Sequence, residues 1–216
     1  MRRLYRLQVG ALHTVLGPSL AAKIRSKLYY TLLMLRNTTG SWGSISKTLH
    51  WVMALLIFSQ IVLGWVAVRW PLSPTKLNLF VWHKSTGILI LALAVLRIGW
   101  RLTNVVPALP TSIPSWERMG AHASHLSLYF LMLALPLSGW IINSASNFPL
   151  KVFWLFPLPD VVPPSKPFQN LAEIVHLVLF SLFAAVLVVH IAAALRHQFI
   201  RRNNLLKRML PFGSRT

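Results

Sequence analysis

The chain has 216 residues, 55% of them hydrophobic and only 12% charged, with a mean hydropathy of +0.59; a soluble domain carries about twice that charged share. Its 22 Lys and Arg face only three acids, for a formal charge of +19, yet apolar runs of membrane-spanning length exclude a soluble, nucleic-acid-binding basic domain. In a membrane protein the same excess marks loops that face anionic lipid. With no cysteine the chain forms no disulfide, no thiolate-held iron–sulfur or zinc site and no Cys-x-x-Cys-His haem attachment, so histidine is the strongest metal ligand available.

Residues 1–45 form a basic, intermittently apolar extension that lacks the unbroken apolar core of a secretory signal. Two readings stand side by side: an interfacial amphipathic segment over 21–35, or translation that begins at Met34, so that residues 1–33 are absent from the native protein. Residues 46–216 read as one membrane domain. A bilayer core takes roughly 20 apolar residues in helical form, and four stretches qualify: 48–68, 81–101, 121–143 and 171–195. Pro136 is expected to kink the third. Proline-rich connections separate them, at Pro71 and Pro74, at Pro107, Pro110 and Pro114, and from Pro157 to Pro167. The expected fold is an all-α, integral membrane four-helix bundle. Only Arg69, Lys76, Lys84, Lys151 and Lys166 fall on one side of it; every other Lys and Arg falls on the side of the two termini. The positive-inside rule then makes the topology N-in/C-in, with both termini cytoplasmic.

The histidines are the informative residues, because an imidazole in a bilayer is costly without a partner and so marks function. In this topology His50 lies near the cytoplasmic start of the first span and His83 near the outer start of the second. His122 and His125 lie near the cytoplasmic start of the third. The fourth span carries His176 near its outer end and His190 near its cytoplasmic end. Fourteen positions separate the last two, which places them about 40° apart around the helix and roughly 21 Å apart along it. One helix face therefore presents imidazoles at two depths. Each depth has candidate partners on other helices: His83 for His176, and His50, His122 or His125 for His190. Opposed imidazoles on two helices can clamp the iron of a haem lying between them. A lone membrane histidine is as often a hydrogen-bonding packing residue; two on one face with depth-matched partners favour ligation. Zinc would ask for three or four ligands in one cluster, and a proton channel would want a mid-membrane carboxylate, of which there is none. His13 and His197 read as surface residues.

Arg97 and Arg101, at the cytoplasmic end of the second span, suit a haem propionate or a quinone head group, and suit snorkelling anchors equally well. Lys84 with Arg69 and Lys76 makes the outer surface positive, which would attract a small anion, although ordinary loop charge accounts for it more simply. Most Trp lie near span ends, as an interfacial belt does. Gly64, Gly87, Gly99, Ser138 and Gly139 read as small residues for close helix or macrocycle packing.

Five ordered segments carry a family resemblance: SKTLHW around His50, WHKSTGILILALAVLRIGWR around His83, AHASHLSLYFLMLALPLSGW in the third span, AEIVHLVLFSLF around His176, and VVHIAAALRHQFIRRNNLLKRMLP around His190. From about residue 44 to 211 the chain resembles the bacterial cytochrome b561 family, diheme b-type cytochromes of the cytoplasmic (inner) membrane. The resemblance implies two haem b groups, the cytoplasmic one held through its iron by His50 and His190 and the outer one by His83 and His176. It leaves His122 and His125 beside the haem or on the quinone side. It further implies electron exchange with ubiquinone, and in some members oxidation of superoxide at the outer surface. Two rivals differ in class: a non-enzymatic cytochrome b subunit relaying electrons for a periplasmic dehydrogenase or hydrogenase, and a haem-free helical channel or scaffold.

Overall fold

A computed structural model describes residues 34–211, together with residues 19, 20, 23, 24, 26 and 27. Four long helices dominate: α1 Ser44–Arg69, α2 Pro74–Leu102, α3 Ser115–Ala145 and α4 Lys166–Leu195. All four are long and apolar enough to cross a membrane. They are longer than the apolar runs that announce them, because hydropathy sees only the stretch matched to lipid while local capping sets the true ends. The Ser73 hydroxyl accepts from the Lys76 N–H, with Pro74 in the first turn. Ser165 does the same for Phe168, with Pro167 in the first turn. In both cases a serine satisfies an orphan amide and a proline fills a position that needs no donor. α3 runs through Pro136 without a break.

Between α3 and α4 the chain forms a short antiparallel hairpin of β1 Leu150–Val152 and β2 Phe156–Leu158. Beyond α4 a π-helical turn, Arg196–Ile200, leads to a one-turn helix, α5 Leu205–Met209. Both ends of the described chain lie at one end of the bundle, here called proximal; the α1–α2 turn and the hairpin lie at the distal end. Helix α1 packs on α2, α2 on α3, and α3 on α4. No comparably close backbone packing joins α4 to α1 or α2. A seam therefore runs the length of the bundle between α4 and the α1–α2 pair.

The core is small: Met53, Ile90, Ala94, Leu131, Met132 and Phe183, with Leu93, Leu128 and Leu179 packed round it. Outside it, Leu55, Val62, Leu126, Phe130, Leu177 and Val188 point away from the protein. In water such an array would be an aggregation surface; against lipid chains, which are as apolar as leucine, it carries no penalty. The expected segment at 21–35 falls largely outside the described residues, as does His13. Residues 37–43 are packed at the proximal end. Asn37 Oδ1 accepts from Gly43 N–H and Ser46 Oγ, and its Nδ2 donates to the Val105 carbonyl.

Candidate functional site

The histidines gather at two levels, along the seam that the helix packing leaves open. At the proximal level α1 supplies His50, α3 His125 and α4 His190. The ring centroids of His50 and His190 are 6.4 Å apart, with their planes at 74°; those of His125 and His190 are 5.4 Å apart. Among the described residues no three His, Asp or Glu side chains converge as a metal cluster requires, so pairs are the unit to consider. His122, three positions earlier on α3, is exposed and stays outside the ring contacts.

Arg97 ties this level together. Its Nη2 donates to His50 Nδ1 at 3.1 Å and its Nε to the Tyr129 hydroxyl at 3.3 Å. The Arg97 and Arg101 guanidinium groups lie 5.8 and 5.6 Å from the centroid of the Tyr129 ring. Both arginines line a pocket shared with Trp42, Ser46, Trp100 and Met209. They are therefore turned into the protein rather than snorkelling outward.

At the distal level α2 supplies His83 and α4 His176. His83 is wedged against α1: a Cβ added to Gly64 would lie 2.7 Å from its Cε1. Its Nδ1 is buried and has no hydrogen-bond partner. Gln60 of α1 donates to the His83 carbonyl at 2.7 Å, fixing the turn of α2 that carries the ring. On α4, His176 Nδ1 lies 2.8 Å from Ser138 Oγ, while that hydroxyl donates its one proton to the Leu135 carbonyl. The serine must therefore accept, which puts the imidazole proton on Nδ1 and leaves the Nε2 lone pair free. That is the tautomer a metal-bound histidine needs. Gly139 leaves space beside the same ring, since its added Cβ would stand 3.6 Å from His176 Cε1.

Lys84 turns from His83 toward α3, where Asn143 Oδ1 accepts from it at 2.6 Å and the Phe148 ring centroid lies 5.4 Å away. Arg69 instead lies over Trp65, and Lys76 donates to the Val68 carbonyl. These three cations are thus separately engaged.

The sequence matches known proteins over about four fifths of its length. A family model described as prokaryotic cytochrome b561 matches residues 41–212. The chain belongs to the prokaryotic cytochrome b561 family. It is 32% identical to Cytochrome b561 homolog 2 of Escherichia coli (strain K12), over 82% of this chain and 95% of that one. It is 28% identical to Cytochrome b561 homolog 1 of the same organism, over 77% and 96%. With a Yersinia pestis protein named "Probable superoxide oxidase CybB" it shares 28% identity, over 76% and 92%. Family membership and four spanning helices make it a multi-pass protein of the bacterial inner membrane with a cytochrome b561-like electron-transfer role.

The sequence alone groups Ser138 with packing residues and gives Gln60, Tyr129 and Glu117 no role, although a polar side chain inside an apolar run is itself a signal. The acid Glu117 takes part in a proximal cluster. Its Oε1 accepts from Arg196 at 3.0 Å and Arg201 at 2.9 Å, and His197 Nε2 lies 3.6 Å from Oε2. His197, expected at the surface, is in fact packed against this carboxylate and Asn203.

Proposed function

We propose that the seam holds two haem b groups, the proximal one between His50 and His190 and the distal one between His83 and His176, and that electrons pass along it between an outer donor and the quinone pool. One separation carries the reading: two imidazoles that share one metal at about 2 Å from each nitrogen stand with their centroids about 6 Å apart, as those of His50 and His190 do. The His125–His190 pair is tighter than that, which favours His50 as partner and leaves His125 beside the site. At the distal level, the orphaned His83 Nδ1, the free Nε2 of His176 and the space beside Gly139 suit a flat, apolar, nitrogen-ligated group. When bound, haem supplies one-electron redox centres whose potentials follow the axial ligands and their apolar surroundings.

The protein's own part is to hold and orient. Ser138 sets the tautomer of His176, and Gln60 fixes the α2 turn at His83. Arg97 donates to His50 Nδ1, so a His50 that held iron through Nε2 would carry its ring proton on Nδ1 and would no longer accept from Arg97. The pocket that Arg97 shares with Tyr129 and Arg101 would then let it donate to a propionate or a quinone carbonyl. With the proximal end cytoplasmic, Lys84 adds positive charge near the distal site, which suits a small anionic reductant. Superoxide fits in charge and size, and the printed name of the Yersinia relative supports it. Two superoxide ions, each losing one electron to become dioxygen, supply the two electrons that one ubiquinone takes up with two protons.

A reduced-minus-oxidised spectrum with a haem count tests the ligands. The wild type should hold two b-type haems per chain and His176→Ala one; an unchanged count sinks the assignment. Mixing haem-loaded protein with superoxide and ubiquinone tests the reaction. No quinone reduction would turn the reading toward a subunit that relays electrons for a periplasmic dehydrogenase or hydrogenase.

A further inference from the structure

The distal hairpin is built against the usual rules for an aqueous turn. Its register pairs Leu150 with Leu158 and Val152 with Phe156, and Leu155 N–H donates to the Val152 carbonyl at 2.9 Å across the tip. The two central residues of that turn are Phe153 and Trp154, with φ of 47° and 60°. Tight hairpins with positive φ at both centres favour Asn-Gly or Asp-Gly, and bulky side chains are rare there because of their steric cost. The tip continues as Leu155 and Phe156, so it presents four large apolar residues in a row. Trp154, Leu155 and Phe156 are exposed, Leu155 by 79%.

Depth accounts for that choice. The Phe153 N–H donates to Ser85 Oγ at 2.7 Å, and the Trp82 ring meets the Phe153 and Trp154 rings at 5.5 and 5.4 Å. Ser85 lies eleven steps into α2, roughly 16 Å along its axis from Pro74. With 29 residues α2 is about 43 Å long, against a hydrocarbon core of about 30 Å. A centred helix overhangs the core by about 6–7 Å at each end, so its partner Ser85 sits well inside the hydrocarbon. The hairpin's donors are treated as that depth requires. A turn amide that water would normally solvate is bonded to a fully buried serine, and position 157 of the outer strand is a proline with no N–H to satisfy.

We infer that the 150–158 hairpin is a lipid anchor, with its Phe153–Phe156 tip inserted among the acyl chains of the distal leaflet alongside α2. Lipid is the partner that these features favour. The tip's exposed side chains are apolar but for the indole N–H of Trp154, its Phe153 and Leu155 amides are bonded within the protein, and it packs on Trp82, itself exposed on α2. Trp82 and Ser85, which receive the tip, flank His83 and Lys84 on α2. The anchor thereby fixes the depth of that segment.

The absence of cysteine makes the test direct. Single variants Leu155→Cys, Val62→Cys on the lipid-facing side of α1 and Leu72→Cys in the exposed α1–α2 turn would each be spin-labelled in the haem-loaded full chain. They would be reconstituted in phosphatidylethanolamine–phosphatidylglycerol bilayers. Relaxation by oxygen and by a water-soluble nickel chelate then reads depth. The Leu155 label should match Val62, with oxygen favoured over nickel. Behaviour like Leu72 would overturn the inference, and so would protection from both reagents, which would mean that protein covers the tip. A double variant, Phe153→Asn with Trp154→Gly, adds an independent readout, since it relaxes the turn but removes its apolar side chains. Trp fluorescence quenching by lipids brominated on the acyl chain should fall in this variant; equal quenching would count against insertion.

Discussion

Gly64 is where one atom decides what the distal site can hold. An added Cβ would come within 2.7 Å of His83 Cε1 and 3.1 Å of its Nδ1, closer than packed atoms tolerate. Gly64→Ala should therefore push the imidazole off its position. We expect loss of the distal haem or a fall in stability of about 1–3 kcal/mol, the usual cost of overpacking, read from b-type absorbance per chain and the Tm in detergent. Ser138 acts more gently. Ser138→Ala leaves His176 in place but removes the acceptor of its Nδ1–H, and loss of such an orienting partner typically weakens metal affinity by about 10–100-fold. Haem titration of the apoprotein should show that loss, with Ser138→Thr restoring it; unchanged affinity would mean that Ser138 does not orient the ring. The histidines themselves were legible in the sequence, because fourteen positions bring a helix back to nearly the same face. Ser138 was not, because a serine in a membrane helix more often bonds to its own backbone, as Ser181 does to the Leu177 carbonyl.

At the scale of elements, the π-helical turn Arg196–Ile200 is where α4 stops being a membrane helix and becomes a proximal cover. Glu117, at the start of α3, holds it through Arg196 and Arg201. Past the turn, Trp51 Nε1 donates to the Met209 carbonyl, and Arg208 donates to the carbonyls of Ala108 and Gly40. Met209 thus becomes a wall of the pocket that holds Arg97 and Arg101. Glu117→Gln keeps the shape of the side chain but removes the charge that gathers these cations. We expect a lower Tm and faster tryptic cleavage after Arg201 and Arg202, with both haems retained; cleavage at the wild-type rate would show that the carboxylate does not hold the turn. The sequence did not announce this contact. Its arginine partners lie 79 and 84 positions from Glu117, and a charge near a helix end reads first as solvated. The spans were legible because their lengths answer to bilayer thickness. Their ends were not, since Ser73 and Ser165 set them by capping beyond the apolar run.

For the whole molecule, the two ends of the bundle differ in charge, and on the proposed reading that difference would decide which haem meets which partner. The distal connections and their edges hold Arg69, Lys76, Lys84, Lys151 and Lys166, whereas Arg36, Lys47, Arg97, Arg101, Arg118, Arg196, Arg201, Arg202, Lys207 and Arg208 lie at the proximal end. Moving the basic end across an energised membrane opposes both the membrane potential and the attraction of anionic lipid, so the proximal end should face the cytoplasm. The Cys-free chain allows this to be read with one chemical probe. Leu72→Cys, in the exposed distal turn, should react with a membrane-impermeant maleimide in intact spheroplasts. Lys207→Cys, on the exposed side of α5, should react only after permeabilisation. The reverse pattern would put the Arg97 and Arg101 pocket on the outer side and the Lys84 site in the cytoplasm. Electron entry from an outer anion at the distal haem would then be untenable, although the histidine pairs would stand. Orientation and ligation are thus separable: the haem count depends on side-chain geometry within the seam, and the direction of electron flow depends on which end carries the basic residues.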